Sequence, residues 1–226
     1  MKRLAVMDMD GTLLEARTID ALCKEFGLMD ELEAISSQAE CLESYEVSGA
    51  IARLFSGLRA SDLERAFDGI AVVHGAKEFI HFLGFNGFIT AIITESYVFL
   101  ASRLAERLDV ERVWGNELEI VDGIVTGRIR MPLGWKKQRN CQRKSVCKLH
   151  AMCELAKEYS VGKKKTLAIG DSKSDLCMIE NAAIRVAFRP KDPEIIKAAD
   201  IIVYTDFFEL MEKLKPFLET LDPKGG

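Results

Sequence analysis

Apolar positions along the chain follow two rhythms. Short, nearly unbroken apolar runs occur at residues 3–7 (RLAVM), 88–93 (FITAII) and 166–169 (TLAI), with a weaker copy at 200–203 (DIIV). Each is bounded by turn or polar residues, the pattern of strands buried on both faces of a parallel sheet. Between them, residues 76–85, 97–108, 144–159 and 192–199 carry apolar residues at helical spacing. Strands alternating with helices predict an open α/β sheet.

Two stretches break the alternation. Residues 15–70 keep helical periodicity, as in IDALCKEFGL and DLERAF, without a convincing strand. That is too long for a crossover and predicts a helical lobe inserted just after the first strand. Within it Ile51, Leu54, Phe55 and Leu58 fall on one helical face and read as lobe core. Residues 117–130 (ELEIVDGIVTGRIR) set β-formers on both sides of Asp122-Gly123, a pair favoured by type I′ turns, and predict a hairpin. The expected architecture is a doubly wound, Rossmann-like parallel sheet at residues 1–14 and 74–226. A helical cap at 15–73 is inserted after the first strand, and a small β-hairpin is added. Phe207, Phe208, Leu210 and Met211 are expected to dock a C-terminal helix, and Trp114 and Trp135 to pack beside the hairpin.

Composition narrows the classes of partner. With 226 residues, 48% of them apolar, the chain can bury a sizeable core, and its net charge of −4 offers no basic surface for nucleic acid. No apolar run reaches the roughly 18 residues of a membrane span, and Lys2-Arg3 is followed too soon by Asp8 for a signal peptide. Six scattered cysteines lack a CxxC pair and are expected to be free thiols in the cytoplasm, while the three histidines show no metal spacing.

The chemistry-bearing residues cluster at strand ends. In an open parallel sheet, ligands sit beyond the carboxyl ends of the strands. The first run ends in Asp8-Met9-Asp10-Gly11-Thr12, the second in Thr94-Glu95-Ser96 before a helix, and the third in AIGDSKSD, with Asp171 and Asp175 on the following turn. Carboxylates brought together this way repel one another unless a cation intervenes. Oxygen ligands suit Mg²⁺, and a magnesium site left partly open suits a phosphate. The helix start at 94–97 would offer N–H donors to that anion. Lys148 supplies a cation, with Lys144 in RKSVCKLH as the alternative.

DMDGT after an apolar strand, Thr94 at the second strand end, an upstream lysine and GDSKSD resemble, in order and spacing, the four motifs of the haloacid dehalogenase-like phosphatases. The phosphoserine phosphatase branch is the most similar, and the resemblance spans about residues 3 to 205. It implies a Mg²⁺-dependent phosphomonoesterase acting on a small phosphorylated metabolite. Asp8 would be the nucleophile and Asp10 the general acid and base. Asp8, the main-chain carbonyl of Asp10 and Asp171 would hold the metal, with Asp175 orienting the metal shell or Lys148. Thr94 and Lys148 would bind the phosphoryl oxygens.

The chain departs from that branch in two places. Arg17 stands where the branch has a cap glutamate for the substrate's amino group, and Glu95-Ser96 replaces a glycine pair. Arg53 lines up with a cap arginine that holds a carboxylate. An ammonium facing a guanidinium is repelled in a poorly hydrated pocket, which predicts that free phosphoserine is a poor substrate. A Glu95–Arg17 ion pair would account for both departures, and a Glu15–Arg17 pair would make Arg17 a surface residue. The alternatives are a phosphoserine phosphatase with a rearranged cap, a catalytically silent phosphate or metal sensor, and a phosphotransferase.

Overall fold

The computed structural model describes residues 2–39, 41–133 and 145–221. Lys144, Trp135 and Cys141 lie outside the described residues. In chain order the elements are β1 (Arg3–Met7), α1 (Thr18–Phe26), α2 (Met29–Gln38), α3 (Ser44–Leu54), α4 (Ala60–Asp68), α5 (Ala76–Phe85) and β2 (Phe88–Tyr97). Then come α6 (Val98–Leu108), β3 (Arg112–Val121), β4 (Ile124–Arg130), α7 (Lys148–Glu158), β5 (Thr166–Gly170) and α8 (Leu176–Glu180). The chain closes with β6 (Ile184–Phe188), α9 (Pro193–Ala198), β7 (Ile201–Val203) and α10 (Phe207–Leu221).

The strands form one sheet in the order β4-β3-β2-β1-β5-β6-β7. All neighbours are parallel except β3 and β4, which make an antiparallel hairpin. Strand β1 lies at the centre, and because successive side chains face opposite ways it feeds two cores. Ala5 and Met7 join the cluster that contains Phe79, Leu104 and Phe207, whereas Leu4 and Val6 join the one that contains Met152, Leu155 and Ile195. Burial on both sides is why these runs are continuously apolar. Each fully buried Leu, Val or Met contributes about 1.5–3 kcal/mol of transfer free energy.

The helical stretch α1–α4 leaves the sheet and returns to it at adjacent points, where Leu14 and Val72 form an antiparallel bridge and Glu15 N–H donates to Ala71 O at 2.9 Å. The hairpin packs against the α3–α4 connection. Gly57 N–H donates to Val125 O (2.8 Å), Val125 N–H to Leu58 O (2.9 Å) and Ala60 N–H to Gly123 O (2.9 Å). Asp122 (φ 51°) and Gly123 (φ 77°) both take positive φ, as a type I′ turn requires.

Several boundaries differ from the sequence reading. Thr94–Tyr97 are strand, not a helix start, and α6 begins only at Val98. Strand β3 has two partners: Arg112–Trp114 pair in parallel with β2, and Glu117–Val121 pair with β4. The apolar alternation of IRVAF forms β6, unrecognised because Arg185 interrupts its run; at the strand edge that guanidinium donates to Asp200 (Nε–Oδ2 2.9 Å). In α10, Phe207 and Leu210 are buried, whereas Phe208 is 40% exposed and so packs only partly. Phe55 is buried, but Ile51 is only half-buried and faces the cavity described next.

Candidate active site

Because β1, β2, β5 and β6 run parallel, their carboxyl ends share one edge of the sheet. A cavity of about 610 Å³ opens there, between that edge and the helices inserted after β1. Asp8, Asp10, Thr94, Glu95, Ser96, Lys148, Asp171 and Lys191 line its floor, and Arg17, Ile19, Leu42, Glu43, Val47 and Ile51 line the side formed by the inserted helices.

Asp8 directly follows β1, and its N–H donates to Ile169 O at 3.0 Å, prolonging the ladder with β5. Its side chain is 7% exposed. Lys148 Nζ lies 2.5 Å from Asp8 Oδ1 and 2.6 Å from Asp175 Oδ1. The Oδ2 of Asp175 in turn accepts from the N–H groups of Asp171 (3.0 Å) and Ser172 (3.2 Å). This chain of contacts needs Gly170, where any Cβ would overlap the Asp175 carboxyl. Burial alone would lower the pKa of Lys148. Asp175, Asp8 and Glu95 outweigh it and raise the pKa, so the ammonium stays charged. Burial pushes the Asp8 carboxyl well above the ordinary range. Lys148 opposes that rise, and the negative charges of Asp175 and Asp171 add to it. Burial and the crowding of three carboxylates thus outweigh the attraction of Lys148 at Asp8.

Asp10 sits two residues on, where the chain turns out of the strand at Gly11 (φ 83°). Thr18 Oγ1, at the start of α1, donates to Asp10 Oδ1 at 2.5 Å. Burial raises the Asp10 pKa, tempered by this hydrogen bond, so Asp10 holds a proton more readily than an exposed aspartate. Gly11 is confined by space as well as by φ, since a Cβ there would collide with the Asp171 carboxylate and the Lys191 ammonium. Asp171 is 1% exposed, and burial also raises its pKa, partly offset by Lys191.

At the end of β2 the register with β3 shifts between Ile93 and Tyr97. Gly115 opposite makes room, because a Cβ there would press on Thr94 and Ser96. Asn116 Nδ2 donates to Glu95 O at 2.7 Å and fixes the bulged strand end. Ser96 N–H donates to Thr94 Oγ1 at 3.0 Å. That amide is thus committed within the strand end, contrary to the expectation of a row of N–H donors facing an anion. Thr94, whose Oγ1 accepts this bond, itself lines the cavity.

Asp8, Asp171 and Asp175 each present a carboxylate oxygen within 4.8 Å of the others, a hard oxygen set that fits a divalent cation. Their shares differ. Both Asp175 oxygens already accept hydrogen bonds, whereas buried Asp171 Oδ2 has no aligned hydrogen-bond donor among the described residues. Lys191 Nζ approaches it to 2.5 Å as an ion pair. Asp171 Oδ2 is thus better placed to meet a cation than either oxygen of Asp175.

Residues 5–180 match the family model of haloacid dehalogenase-like hydrolases. The chain belongs to that family. It is 35% identical over 199 residues to a phosphoserine phosphatase of Archaeoglobus fulgidus, covering 84% of this chain and 54% of the relative, so it spans about half that protein's length. It is 30% identical to a phosphoserine phosphatase of Streptococcus thermophilus, covering 95% of this chain and 96% of the relative. Among solved structures, a phospho-aspartyl intermediate analogue of phosphoserine phosphatase superposes with a TM-score of 0.79 at 25% identity, covering 94% of this chain and 98% of the other. Within that hydrolase family, the chain is most similar to the phosphoserine phosphatase-like branch.

In this haloacid dehalogenase-like hydrolase, Asp8, Asp10, Thr94, Glu95, Lys148 and Asp171 share one cavity, with Asp175 directly behind them. Gly11 shapes the turn. Thr12 is buried away from the cavity lining and acts as scaffold. Arg17 reaches the cavity, but its guanidinium pairs with Asp20 at 3.2 Å, neither with Glu95 nor with Glu15, which pairs instead with Arg189 at 2.5 Å. Arg53 corrects another expectation: it is exposed on α3 and lines a separate groove with Tyr45 and Glu46. The residues of α3 that face the cavity are Ser44, Val47, Ser48 and Ile51, the other side of the helix. Thr18, Glu43 and Lys191 are site neighbours that the sequence reading missed. Recognising β6 would have found Lys191 by the strand-end rule. No spacing signal marks Thr18, which meets Asp10 only through the fold.

Proposed function

We propose that this chain is a Mg²⁺-dependent phosphatase that hydrolyses a small phosphorylated metabolite through an aspartyl-phosphate on Asp8. The observation that carries the reading is the placement of one ion-paired carboxylate (Asp8) and one hydroxyl-bonded carboxylate with a raised pKa (Asp10) on the same cavity. Asp8, the main-chain carbonyl of Asp10 and Asp171 would hold Mg²⁺, which when bound neutralises phosphoryl charge. An Asp8 carboxylate oxygen bonds to phosphorus as the ester oxygen departs, and that oxygen takes the proton held on Asp10. The Asp10 carboxylate then accepts a proton from the water that attacks phosphorus, which returns Asp8 and releases inorganic phosphate. Lys148 and the Thr94 hydroxyl stabilise the transferring oxygens, and Asp175 keeps Lys148 aimed. Residues 15–73 act as the cap that shields this step from bulk water.

Arg17 suits a leaving group that bears a carboxylate. The expectation that phosphoserine is a poor substrate finds no support, because the carboxylates of Glu43 and Glu95 line the cavity beside Arg17. Phosphoserine is thus a candidate substrate with the charged contacts rearranged, and the names of the relatives favour the same reading. The test is hydrolysis of a panel of small phosphate esters with Mg²⁺, using wild type and Asp8→Asn. Turnover that survives in Asp8→Asn would overturn the nucleophile assignment. Arg17→Ala should raise KM for carboxylate-bearing esters more than for an aryl phosphate.

A further inference from the structure

Lys191 has no part in the reaction proposed above, yet it touches the acidic group at a buried oxygen. Its backbone N–H donates to Asp171 O at 2.8 Å, and its ammonium lies 2.5 Å from Asp171 Oδ2. The two ends of this contact differ sharply: the Asp171 side chain is 2% exposed, and that of Lys191 is 55% exposed. The ammonium can therefore withdraw into solvent at little cost, while the carboxylate cannot. Gly11 leaves the space for it, since a Cβ at Gly11 would collide with Lys191 Nζ as well as with Asp171. The oxygen concerned has no aligned hydrogen-bond donor among the described residues. Lys148, the other lysine of the site, is 3% exposed, held between two aspartates and confined there.

We propose that Lys191 is a displaceable internal counter-cation: its ammonium holds Asp171 in place until a divalent ion binds, and so sets how weakly that ion is held. The idea rests on the metal reading of Asp171 given under the proposed function. An ammonium beside a ligand oxygen competes for that oxygen and repels a dication, so it lowers metal affinity while stabilising the protein without metal. Lys191 is in this sense a positioning and tuning residue that acts through Asp171.

The test is Mg²⁺ binding by calorimetry, with thermal melting in chelator as a second readout that does not involve turnover. Lys191→Gln is expected to bind Mg²⁺ about tenfold more tightly and to melt lower in chelator, with excess Mg²⁺ closing most of the gap to wild type. Lys191→Arg, which keeps the charge, is expected to stay near wild type in both readouts. Lys191→Gln binding Mg²⁺ no more tightly than wild type, or melting unchanged in chelator, overturns the inference. Asp171→Asn separates the two levels of argument. If that variant binds Mg²⁺ as well as wild type, the metal reading itself fails, whatever Lys191→Gln does.

Discussion

Replacing Lys148 with methionine tests the electrostatic argument of the site, because Met keeps most of the stem and removes the ammonium with its two donated bonds. The ammonium makes two contacts, at 2.5 Å to Asp8 and 2.6 Å to Asp175, and the three side chains are 3%, 7% and 0% exposed. Removing one partner of a buried ion pair costs about 3–5 kcal/mol, because it leaves charge uncompensated. The lower half of that range applies here, since Asp175 keeps two backbone N–H donors. For a chain of this size, a loss near 3 kcal/mol lowers Tm by roughly 10 °C. The loss should also depend on pH in a defined direction. A carboxyl whose folded pKa lies above its unfolded value binds more protons when folded, so stability falls as pH rises through that interval. Without Lys148 the Asp8 carboxyl is raised further, so the deficit should be larger at pH 8 than at pH 5. The assay is urea unfolding in chelator at several pH values, with m checked for constancy. A deficit below 1 kcal/mol at pH 8, or one that grows toward acid, would refute the reasoning.

Other predictions follow from single contacts. Gly11→Ala should cost about 1–2 kcal/mol from its φ of 83° alone, and it should also lower phosphatase activity by displacing Asp171; full activity with normal Tm would contradict the collision. Asp175→Asn should reduce kcat without touching substrate, because it weakens the hold on Lys148; an unchanged kcat would assign Lys148's position to Asp8 alone. Lys213, donating to Glu209, lowers the Glu209 pKa to about 2, helped by the Thr205 hydroxyl and the N–H groups of Thr205 and Tyr204. With its folded pKa depressed, its contribution is present above its unfolded value and is lost as pH falls toward 2. Glu209→Ala should therefore cost about 1 kcal/mol at pH 7 and almost nothing near pH 2, measured by chemical unfolding at both.

Much of the molecule was legible because local patterns and global fold agree. Continuous apolar runs mark strands buried on both faces, and β1, β2, β5 and β7 lie where those runs predict, with β2 reaching farther to Tyr97. The strand-end rule needs only the order of strands, so Asp8, Asp10, Thr94 and Asp171 could be brought together without coordinates. Asp122-Gly123 specified its turn by its own backbone preferences. The sequence by itself thus determined four of the parallel strands, the turn chemistry and which carboxylates meet. Tertiary structure alone decided which side of α3 faces the cavity, and so excluded Arg53 from its lining. It also decided that Arg17 pairs with Asp20, that Thr18 caps Asp10, and that Lys191 reaches Asp171 from the end of a strand with a broken apolar run. The physical reason is range. Periodicity and turn preference act within a few residues, whereas the partner of a charged side chain depends on the angle and rotation at which distant elements pack.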